Sequence, residues 1–414
     1  MARVLIVGGG FGGIRTALRA RKILSAETEI TLVDKNAAHL FTPSLYEIAS
    51  AFDIPSDGFH SHLRRAVLLP YVDIFEGKNI QFVQADIQRI NFQEQIALTS
   101  GGHQLGYDFL ILGVGSRVCD FGVSGVRDYA YQFKTIEDAL LVNQTIMELM
   151  AHAVRTGRYQ PLKILIVGAG FTGIEVAGEL ALFCRQLARK VNVKHRMVIF
   201  YLFEGGPKIL PNVSDKERLA IRKRLTRLGV VVMENSKIES VMDKSLKLKN
   251  SHTIEGDMVV WTAGVEPDPH VRSMGTIQLT EHGKIPVDEY LRVRDHHNTF
   301  AVGDIVEFID EHTQRPVPGL AYVASDQGEV VAENIRNVMR QRPLKVYKPY
   351  YDVWIAPVGG KYAVAHLGQG IMLSGFMAWV IRELVDLRYF VSVLPFRKAL
   401  IYFWRGFRIF IRND

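Results

Sequence analysis

Two glycine-rich turns carry the clearest chemical signal in the sequence. Residues 8–13 read GGGFGG and residues 168–173 read GAGFTG, so both have the spacing G-x-G-x-x-G. In this spacing the first glycine allows a tight turn, the second lets a diphosphate approach the backbone, and the third lets a helix pack closely on a strand. Free N–H groups at the start of that helix favour an anion. Each turn therefore predicts a site for the diphosphate of a dinucleotide.

An acidic residue follows each turn at a position from which it can accept hydrogen bonds from ribose hydroxyls. Asp34 serves the first turn and Glu204 the second. A carboxylate at Glu204 would repel a 2′-phosphate, which favours NADH over NADPH. Lys208, four positions later, leaves NADPH open as an alternative.

The sequence around both turns predicts the elements that must hold them. A β-branched run precedes the first turn, a helical stretch follows it, and a second apolar run ends at Asp34. The same order recurs over residues 162–204, where we expect the helix to begin at Ile174 and the second strand to end at Glu204. The fold class predicted is α/β, with two Rossmann-type dinucleotide-binding domains.

A third segment indicates which dinucleotide belongs to which turn. Residues 299–304 (TFAVGD) resemble the flavin-binding signature of two-dinucleotide flavoprotein reductases, in which the aspartate holds the ribityl chain. The resemblance implies FAD in the first unit and NADH in the second. Residues 109–116 and 259–265 are apolar runs with glycine near their ends, and we interpret them as the crossovers between the two domains.

The composition limits the alternatives. With 48% hydrophobic and 22% charged residues, the chain is typical of globular proteins. Its two cysteines, Cys119 and Cys184, lie far apart, which argues against a thiol–disulfide relay and favours a reducing compartment. The 13 histidines lack metal-ligand spacing, and the net charge of +7 comes without a nucleic-acid-binding motif. We expect no metal site and no nucleic-acid partner.

Over nearly its whole length the sequence resembles the type II NADH:quinone oxidoreductases, single-subunit membrane-surface enzymes of respiratory chains. The similar segments are residues 39–49 (HLFTPSLYEIA), 121–125 (FGVSG) and 170–179 (GFTGIEVAGE). Ser44 stands where the family usually has leucine, and Ser124 where it has proline. The resemblance implies FAD-dependent NADH oxidation with a membrane quinone as the acceptor and no proton pumping. It also implies that Glu175 lies near the nicotinamide and the flavin.

The acceptor site departs from the family pattern. The family lines its quinone site with Ala-Gln-x-Ala-x-Gln, whereas residues 321–328 read AYVASDQG, so Tyr322 and Asp326 replace the two glutamines. A tyrosine still donates a hydrogen bond to a carbonyl and stacks on a ring. An aspartate adds negative charge unless it is neutral or paired. The quinone site predicted on this basis consists of Ala321, Tyr322, Ala324 and Asp326.

The C-terminal tail predicts contact with a membrane. In a helix over residues 395–414, basic side chains fall on one sector, and apolar side chains, including Ala399 and Trp404, lie opposite. The basic residues are Arg397, Lys398, Arg405, Arg408 and Arg412. This pattern is typical of a helix lying among the headgroups of an anionic bilayer. The alternative is that the aromatic residues pack on the body or on a second subunit.

The motif order predicts four regions. Residues 1–125 form the first part of an FAD-binding domain, residues 126–285 an inserted NADH-binding domain, residues 286–345 the second part of the FAD-binding domain, and residues 346–414 a membrane-association region. We expect a homodimer bound peripherally to the cytoplasmic face of the cell membrane.

The site residues predicted fall into three groups. FAD is expected to contact Gly8, Gly10, Phe11, Gly12, Gly13, Asp34, Pro43, Gly115, Gly303 and Asp304. NADH is expected to contact Gly168, Gly170, Phe171, Thr172, Gly173, Glu175, Glu204 and Gly264. The candidate catalytic residues are Glu175 and Tyr322.

Two other functions stay open on the sequence. The first is an FAD-dependent NADH reductase whose acceptor is a redox protein or oxygen, and the tail argues against it. The second is a nucleotide-sensing homologue whose quinone site is inactive.

Overall fold

The helices and strands were assigned in a computed structural model, which describes residues 1–52, 59–193 and 197–411. The helices are α1 (Phe11–Ile23), α2 (Leu45–Ala49), α3 (Phe59–Val67), α4 (Tyr71–Ile74), α5 (Val126–Tyr129), α6 (Ile136–Arg155), α7 (Phe171–Lys190), α8 (Asp215–Leu228), α9 (Val271–Met274), α10 (Ala321–Met339), α11 (Phe376–Val393) and α12 (Phe396–Phe410). Short 3-10 turns cover Thr42–Ser44 and Gly303–Ile305.

The strands of the first half are β1 (Arg3–Val7), β2 (Glu29–Asp34), β3 (Ala38–Leu40), β4 (Leu68–Pro70), β5 (Gln81–Gln84), β6 (Ile87–Asn91), β7 (Ile96–Thr99), β8 (Gln104–Gly106), β9 (Phe109–Leu112), β10 (Ser116–Val118), β11 (Tyr131–Gln132), β12 (Leu162–Val167) and β13 (Val198–Phe203). Those of the second half are β14 (Val230–Met233), β15 (Ile238–Met242), β16 (Ser245–Leu248), β17 (Thr253–Glu255), β18 (Met258–Trp261), β19 (Val265–Pro267), β20 (Ile285–Pro286), β21 (Thr299–Ala301), β22 (Val306–Glu307), β23 (Ile309–Asp310), β24 (Arg315–Pro316), β25 (Trp354–Pro357), β26 (Ala363–His366) and β27 (Met372–Gly375).

Two parallel sheets of five strands organise the chain. The first has the order β21-β9-β1-β2-β5 and the second the order β11-β18-β12-β13-β14. Their central strands β1 and β12 are almost wholly buried, which explains their continuous apolar sequences. In both sheets the central strand leads directly into a helix, α1 or α7, and then into the neighbouring strand. The two βαβ units expected from the sequence are therefore present.

The second sheet is formed by the part of the chain that lies between β9 and β21, which are neighbouring strands of the first sheet. β9 and β21 pair with each other in the first sheet, although about half of the chain separates them. On the way out and on the way back, the chain forms the antiparallel pair of β10 and β19. The crossovers inferred from residues 109–116 and 259–265 contain β9 and β18, and each is followed by a strand of this pair.

Two boundaries differ from the sequence expectation. The helix of the second unit begins at Phe171 rather than Ile174, because Phe171 follows Gly170, the extended N-cap residue. The strand before Glu204 ends at Phe203, so the Glu204 side chain lies just beyond the carboxyl edge of the sheet. That edge is where ligands of open parallel sheets bind.

The C-terminal region consists of an antiparallel sheet, β25-β26-β27, followed by α11 and α12. The helix expected in the tail is present, but its orientation differs in part. Ala399, which the sequence placed on the membrane side, is fully buried against the body, as is most of Tyr402. Lys398 also faces the body, because its ammonium group contacts Asp73 at 2.6 Å and Glu76 at 3.0 Å.

The outward face of α12 combines apolar and basic side chains. Phe396, Ile401 and Trp404 are 65%, 55% and 52% exposed, and Arg397 and Arg408 are exposed on the same helix. Arg412 lies outside the described residues. Within the described helices, none combines the length and apolarity needed to cross a membrane.

Candidate functional site

The first glycine turn has the geometry that a diphosphate requires. Gly8 follows β1 with a φ of +104°, and a Cβ there would lie 2.3 Å from the carbonyl oxygen of Gly113. At Gly10 a Cβ would meet no atom within 4 Å, so the space at the start of α1 is open. The Gly9 amide donates a 2.6 Å hydrogen bond to the Asp34 carboxylate, which fixes that carboxylate beside the turn.

The other predicted residues of the first turn pack inward. A Cβ on Gly13 would lie 1.9 Å from a carbonyl oxygen of the same turn, and one on Gly12 would lie 3.1 Å from the Ala324 carbonyl oxygen. α1 therefore packs closely on both β1 and α10. The ring of Phe11 lies 5.1 Å from that of Tyr389 on α11.

The second turn repeats the first residue by residue. Gly168 has a φ of +102°, and a Cβ there would lie 2.4 Å from the backbone of Ala263. At Gly170 a Cβ would again meet no atom within 4 Å, whereas at Gly173 it would lie 1.8 Å from a carbonyl oxygen of the turn. The Glu204 carboxylate accepts hydrogen bonds from the amides of Ala169 (3.2 Å) and Gly206 (2.8 Å).

These features fit a dinucleotide at each turn. Both have a carboxylate held against the turn, open space at the helix start, and glycines where side chains would collide. In the second unit, Phe171 and Thr172 form the first turn of α7, and the Phe171 ring lies 5.3 Å from that of Trp354. Gly264 lies nearby in the chain after β18 with a φ of +154°.

Two side chains that the sequence analysis did not single out also hold the first turn. Tyr71 donates to the Gly9 carbonyl oxygen at 2.9 Å, and His39 Nδ1 lies 3.1 Å from the same oxygen. Burial lowers the pKa of His39 to about 4, so its ring is neutral at pH 7. A neutral His39 that donates from Nδ1 accepts at Nε2 from the Tyr389 hydroxyl, which lies 2.8 Å away. α11 is thereby joined to the first turn.

Asp304 lies at the centre of a polar group formed by several elements. The Ser116 hydroxyl donates to its carboxylate, and Lys134 Nζ lies 3.6 Å from the carboxylate and 2.9 Å from Ser116. Gly303, with a φ of +82°, donates its amide to the side-chain oxygen of Gln327 at 2.7 Å. A small recess beside this group is lined by Gly303, Asp304, Ala324 and Gln327, among others.

Sequence reasoning identified Asp304 but missed the residues that fix it. Lys134 and Gln327 belong to no glycine motif, and only the fold brings them to the turn that follows β21. The only sequence signal for Gln327 was that it directly follows Asp326, the last position of the acceptor pattern. Gly115 has a φ of +76°, and a Cβ there would meet no atom within 4 Å.

Glu175 lies on the second turn of α7 and is half-buried. Burial raises its pKa to about 8, against the opposing effect of Arg382 on α11. A carboxyl group with this pKa is mostly protonated at neutral pH and can therefore hold or donate a proton. Pro43 lies in the same region, since its carbonyl oxygen accepts a 3.4 Å hydrogen bond from Arg382.

The acceptor residues lie on the first turns of α10 but do not point to one place. Ala324 lines the recess at Asp304, whereas the Tyr322 hydroxyl donates to the backbone oxygen of Val353 at 3.0 Å. Ala321 begins the helix and accepts a hydrogen bond from Ser325. The Tyr322 hydroxyl is thus already used within the protein.

Asp326 is partly exposed, and both acidic and basic neighbours affect its pKa. Burial is the main cause that raises its pKa, and Glu329 adds to it, whereas Arg15 and Arg388 act in the opposite direction. Arg15 belongs to α1 and Arg388 to α11, so cationic side chains from two elements flank this aspartate. The negative charge that the sequence introduces at Asp326 is therefore partly compensated.

The chain has two dinucleotide-type turns, one at the carboxyl edge of each parallel sheet. This arrangement defines a class of α/β oxidoreductases. A family described as pyridine nucleotide-disulphide oxidoreductase matches residues 2–328, and the chain belongs to this family. Within the described residues no group of three or more histidine, cysteine or acidic side chains could hold a metal ion.

Similar proteins are known in sequence and in structure. A type II NADH:quinone oxidoreductase of Staphylococcus haemolyticus is 28% identical over 411 residues, covering 96% of this chain and 98% of that protein. The enzyme of the same name from Staphylococcus aureus is 27% identical over 407 residues, with 96% and 98% covered. The structure of NDH2 from Plasmodium falciparum in complex with NADH has a TM-score of 0.84 at 17% identity, covering 98% of both chains. The sulfide:quinone oxidoreductase of Aquifex aeolicus has a TM-score of 0.76 at 19% identity, covering 95% and 91%.

Proposed function

We propose that the protein is a type II NADH:quinone oxidoreductase, which oxidises NADH through FAD and passes the electrons to a membrane quinone without pumping protons. The observation that carries the proposal is the pair of equivalent turns, each with its own carboxylate, on one chain of this family. The Staphylococcus enzymes to which the chain is similar over 96% of its length bear this activity in their names.

In this proposal FAD binds the first turn and NADH the second. FAD is held by residues 8–13 and Asp34, by Pro43 and Gly115, and by Gly303 and Asp304. Bound FAD supplies a two-electron acceptor for hydride and a donor for the quinone. Ser116 and Lys134 keep the Asp304 carboxylate in one orientation, and Gln327 accepts a hydrogen bond from the neighbouring Gly303 amide.

NADH is held by residues 168–173, Glu204 and Gly264. The Glu204 carboxylate is fixed by two backbone amides, which leaves it oriented to accept from ribose hydroxyls. The protein contributes orientation and exclusion of water rather than covalent chemistry. Glu175, protonated at neutral pH, supplies a proton store beside the two nucleotides.

The quinone is proposed to approach along α10 and α11, near Ala321, Tyr322, Ala324 and Asp326. The support is that Ala324 adjoins both the first turn and the recess at Asp304. Tyr322 would contribute its ring, because its hydroxyl is bonded to Val353.

The outward faces of α11 and α12 fit a membrane surface. On α11, Met377, Leu384 and Val385 are about half exposed or more, and α12 also has exposed apolar side chains. We propose peripheral attachment at the cytoplasmic face through residues 346–414, and a homodimer. The regions 1–125 and 286–345 would form the FAD-binding domain, and residues 126–285 the NADH-binding domain.

Anaerobic rapid mixing tests the function. The purified protein loaded with FAD is mixed first with NADH and then with a ubiquinone or menaquinone analogue. Bleaching of the flavin followed by recovery of its colour with quinone is the expected result. Bleaching without recovery would favour a reductase of another acceptor, and absence of bleaching would favour a nucleotide sensor.

A further inference from the structure

The C-terminal sheet packs against the unit that carries the second glycine turn. β25 lies on α7, and β26 lies on α8. Arg224 on α8 donates to the carbonyl oxygens of Val358 and Gly359 at 3.1 and 2.6 Å, at the turn between β25 and β26. On α7, a Cβ at Gly178 would lie only 3.0 Å from the Gly359 amide nitrogen, so this turn packs closely on the helix.

His366, the last residue of β26, lies between two carboxylates. Its Nδ1 is 2.6 Å from Glu217 on α8, and its Nε2 is 3.0 Å from Asp352 in the segment before β25. An ionised carboxylate only accepts hydrogen bonds, so both contacts are hydrogen bonds only when both ring nitrogens carry a proton. The hydrogen bond to Glu217 is the main cause that raises the pKa of His366 above its ordinary value. The arrangement therefore favours the charged imidazolium.

The neighbouring strands add uncharged side chains around the His366 ring. Its partners in the sheet are Trp354 on β25 and Met372 on β27. Ala363 and Ala365 pack on α11 at the opposite face of the sheet, because side chains alternate along a strand. The charges that face the ring are thus those of the two carboxylates.

The two carboxylates are held to different degrees. Glu217 is 4% exposed and accepts hydrogen bonds from the amide and the hydroxyl of Ser214, at 3.0 and 2.7 Å. Asp352 is 60% exposed. When His366 loses a proton, one ring nitrogen presents a lone pair to a carboxylate, and the exposed Asp352 is free to turn into water. Deprotonation therefore releases the segment that begins at Asp352.

This segment supports the start of α7. Trp354 stacks on His366, with ring centroids 6.1 Å apart and an interplanar angle of 13°. On its other side, the Trp354 ring lies 5.3 Å from that of Phe171, which is within the range of favourable aromatic contacts. Phe171 is the first residue of α7 and follows Gly170, where the space for a diphosphate is open. A row of rings thus connects His366 to the second glycine turn.

We propose that His366, held between Glu217 and Asp352, is a positioning residue of the NADH site. The imidazolium keeps Trp354 in place, and Trp354 supports Phe171 at the turn where the diphosphate of NADH is proposed to bind. Loss of the proton loosens this support and weakens nucleotide binding. The inference rests on the proposed function, since that function assigns NADH to the second turn. Part of the region proposed for membrane contact then also serves nucleotide binding.

The test is equilibrium binding of NAD⁺ to the FAD-loaded protein, followed through the flavin absorbance at pH values below and above the pKa of His366. The dissociation constant should increase by roughly three- to ten-fold as His366 loses its proton. The KM for NADH in dye reduction should increase in parallel, and kcat should change less. Glu175, whose pKa burial raises to about 8, also titrates in this range. The effect assigned to His366 is therefore the part of the pH dependence that His366→Gln removes.

Two variants make opposite predictions. His366→Gln should bind NAD⁺ weakly at all pH values, because the amide cannot donate to both carboxylates. Asp352→Asn should bind tightly even at alkaline pH, since the asparagine amide can donate to the unprotonated ring nitrogen. The matched control is His270→Gln, because His270 lies 4.0 Å from Asp86 but bonds to Ile87 of β6, away from α7. This control should keep the profile of the parent.

The outcomes separate the inference from the proposed function. If His366→Gln kept the affinity and pH dependence of the parent, or if His270→Gln changed them equally, the positioning role would be overturned. If His366→Gln fails to fold, Asp352→Asn decides, and weak alkaline binding by that variant would count against the role. A parent protein that bound no NAD⁺ at any pH would refute the proposed function and the inference together.

Discussion

Replacement of Glu204 by glutamine should weaken NADH binding without loss of the flavin. The carboxylate accepts from the amides of Ala169 and Gly206 at 3.2 and 2.8 Å, and these two hydrogen bonds fix its orientation beside the turn. An amide keeps one acceptor oxygen but places an NH₂ group against a backbone N–H. The loss of one charge-assisted hydrogen bond costs about 1.5–3 kcal/mol. We expect kcat/KM for NADH to fall by roughly 10- to 100-fold, and the preference for NADH over NADPH to decrease.

The assay is steady-state reduction of a soluble dye with NADH and with NADPH, together with the flavin absorbance of the purified variant. The matched control is Asp34→Asn, because Asp34 accepts from the Gly9 amide at 2.6 Å in the same way. That variant should lose FAD rather than change nucleotide preference. If Glu204→Gln lost its flavin, or if its NADH to NADPH ratio equalled that of the parent, the assignment of the two turns would be wrong.

Three further results are expected. The double variant Ile401→Asp/Trp404→Asp should no longer cosediment with anionic liposomes, although it should still reduce a soluble dye. If the variant still bound the liposomes, α12 would be excluded as the membrane contact. The hydrogen bond to Glu217, and then the charge of Glu217, raise the pKa of His366 above 6.5. The stability that protonated His366 confers should therefore be fully present below about pH 6.5. It should decrease as the pH rises through the raised pKa. Thermal melting across this range should show the loss, and a His366→Gln protein should lack it. Tyr322→Phe should lower the free energy of unfolding by about 0.5–1.5 kcal/mol, measured by denaturant titration. Reoxidation of the flavin by quinone should be unchanged. Loss of that reoxidation at unchanged stability would give the hydroxyl a direct role.

The two glycine turns were predictable from the sequence because their spacing is a local feature of the chain. Glycines at fixed spacing, a strand before them and an acid after the next strand all lie within one βαβ unit, and the structure confirms both units. The exact helix start at Phe171 was missed, since a boundary depends on how the N-cap residue is held rather than on periodicity.

Contacts between distant segments could not be predicted in the same way. Lys134 reaches Asp304, and Arg382 reaches Glu47, only because separate elements meet in the fold. Helical periodicity predicted a basic sector on the tail, but it could not show that Lys398 would contact Asp73 on the body. A helical pattern shows which side chains share a face, and the neighbouring structure decides what that face contacts.

The hydrogen bond from Tyr389 to His39 has a practical consequence for handling this protein. Through His39, Tyr389 links α11 to the Gly9 carbonyl oxygen of the first glycine turn, while exposed apolar side chains of the same helix face the surroundings. A detergent that binds these side chains would therefore act on a helix that is linked to the proposed FAD site. We therefore expect FAD content and turnover to depend on the detergent used for purification. Both are better measured in lipid nanodiscs.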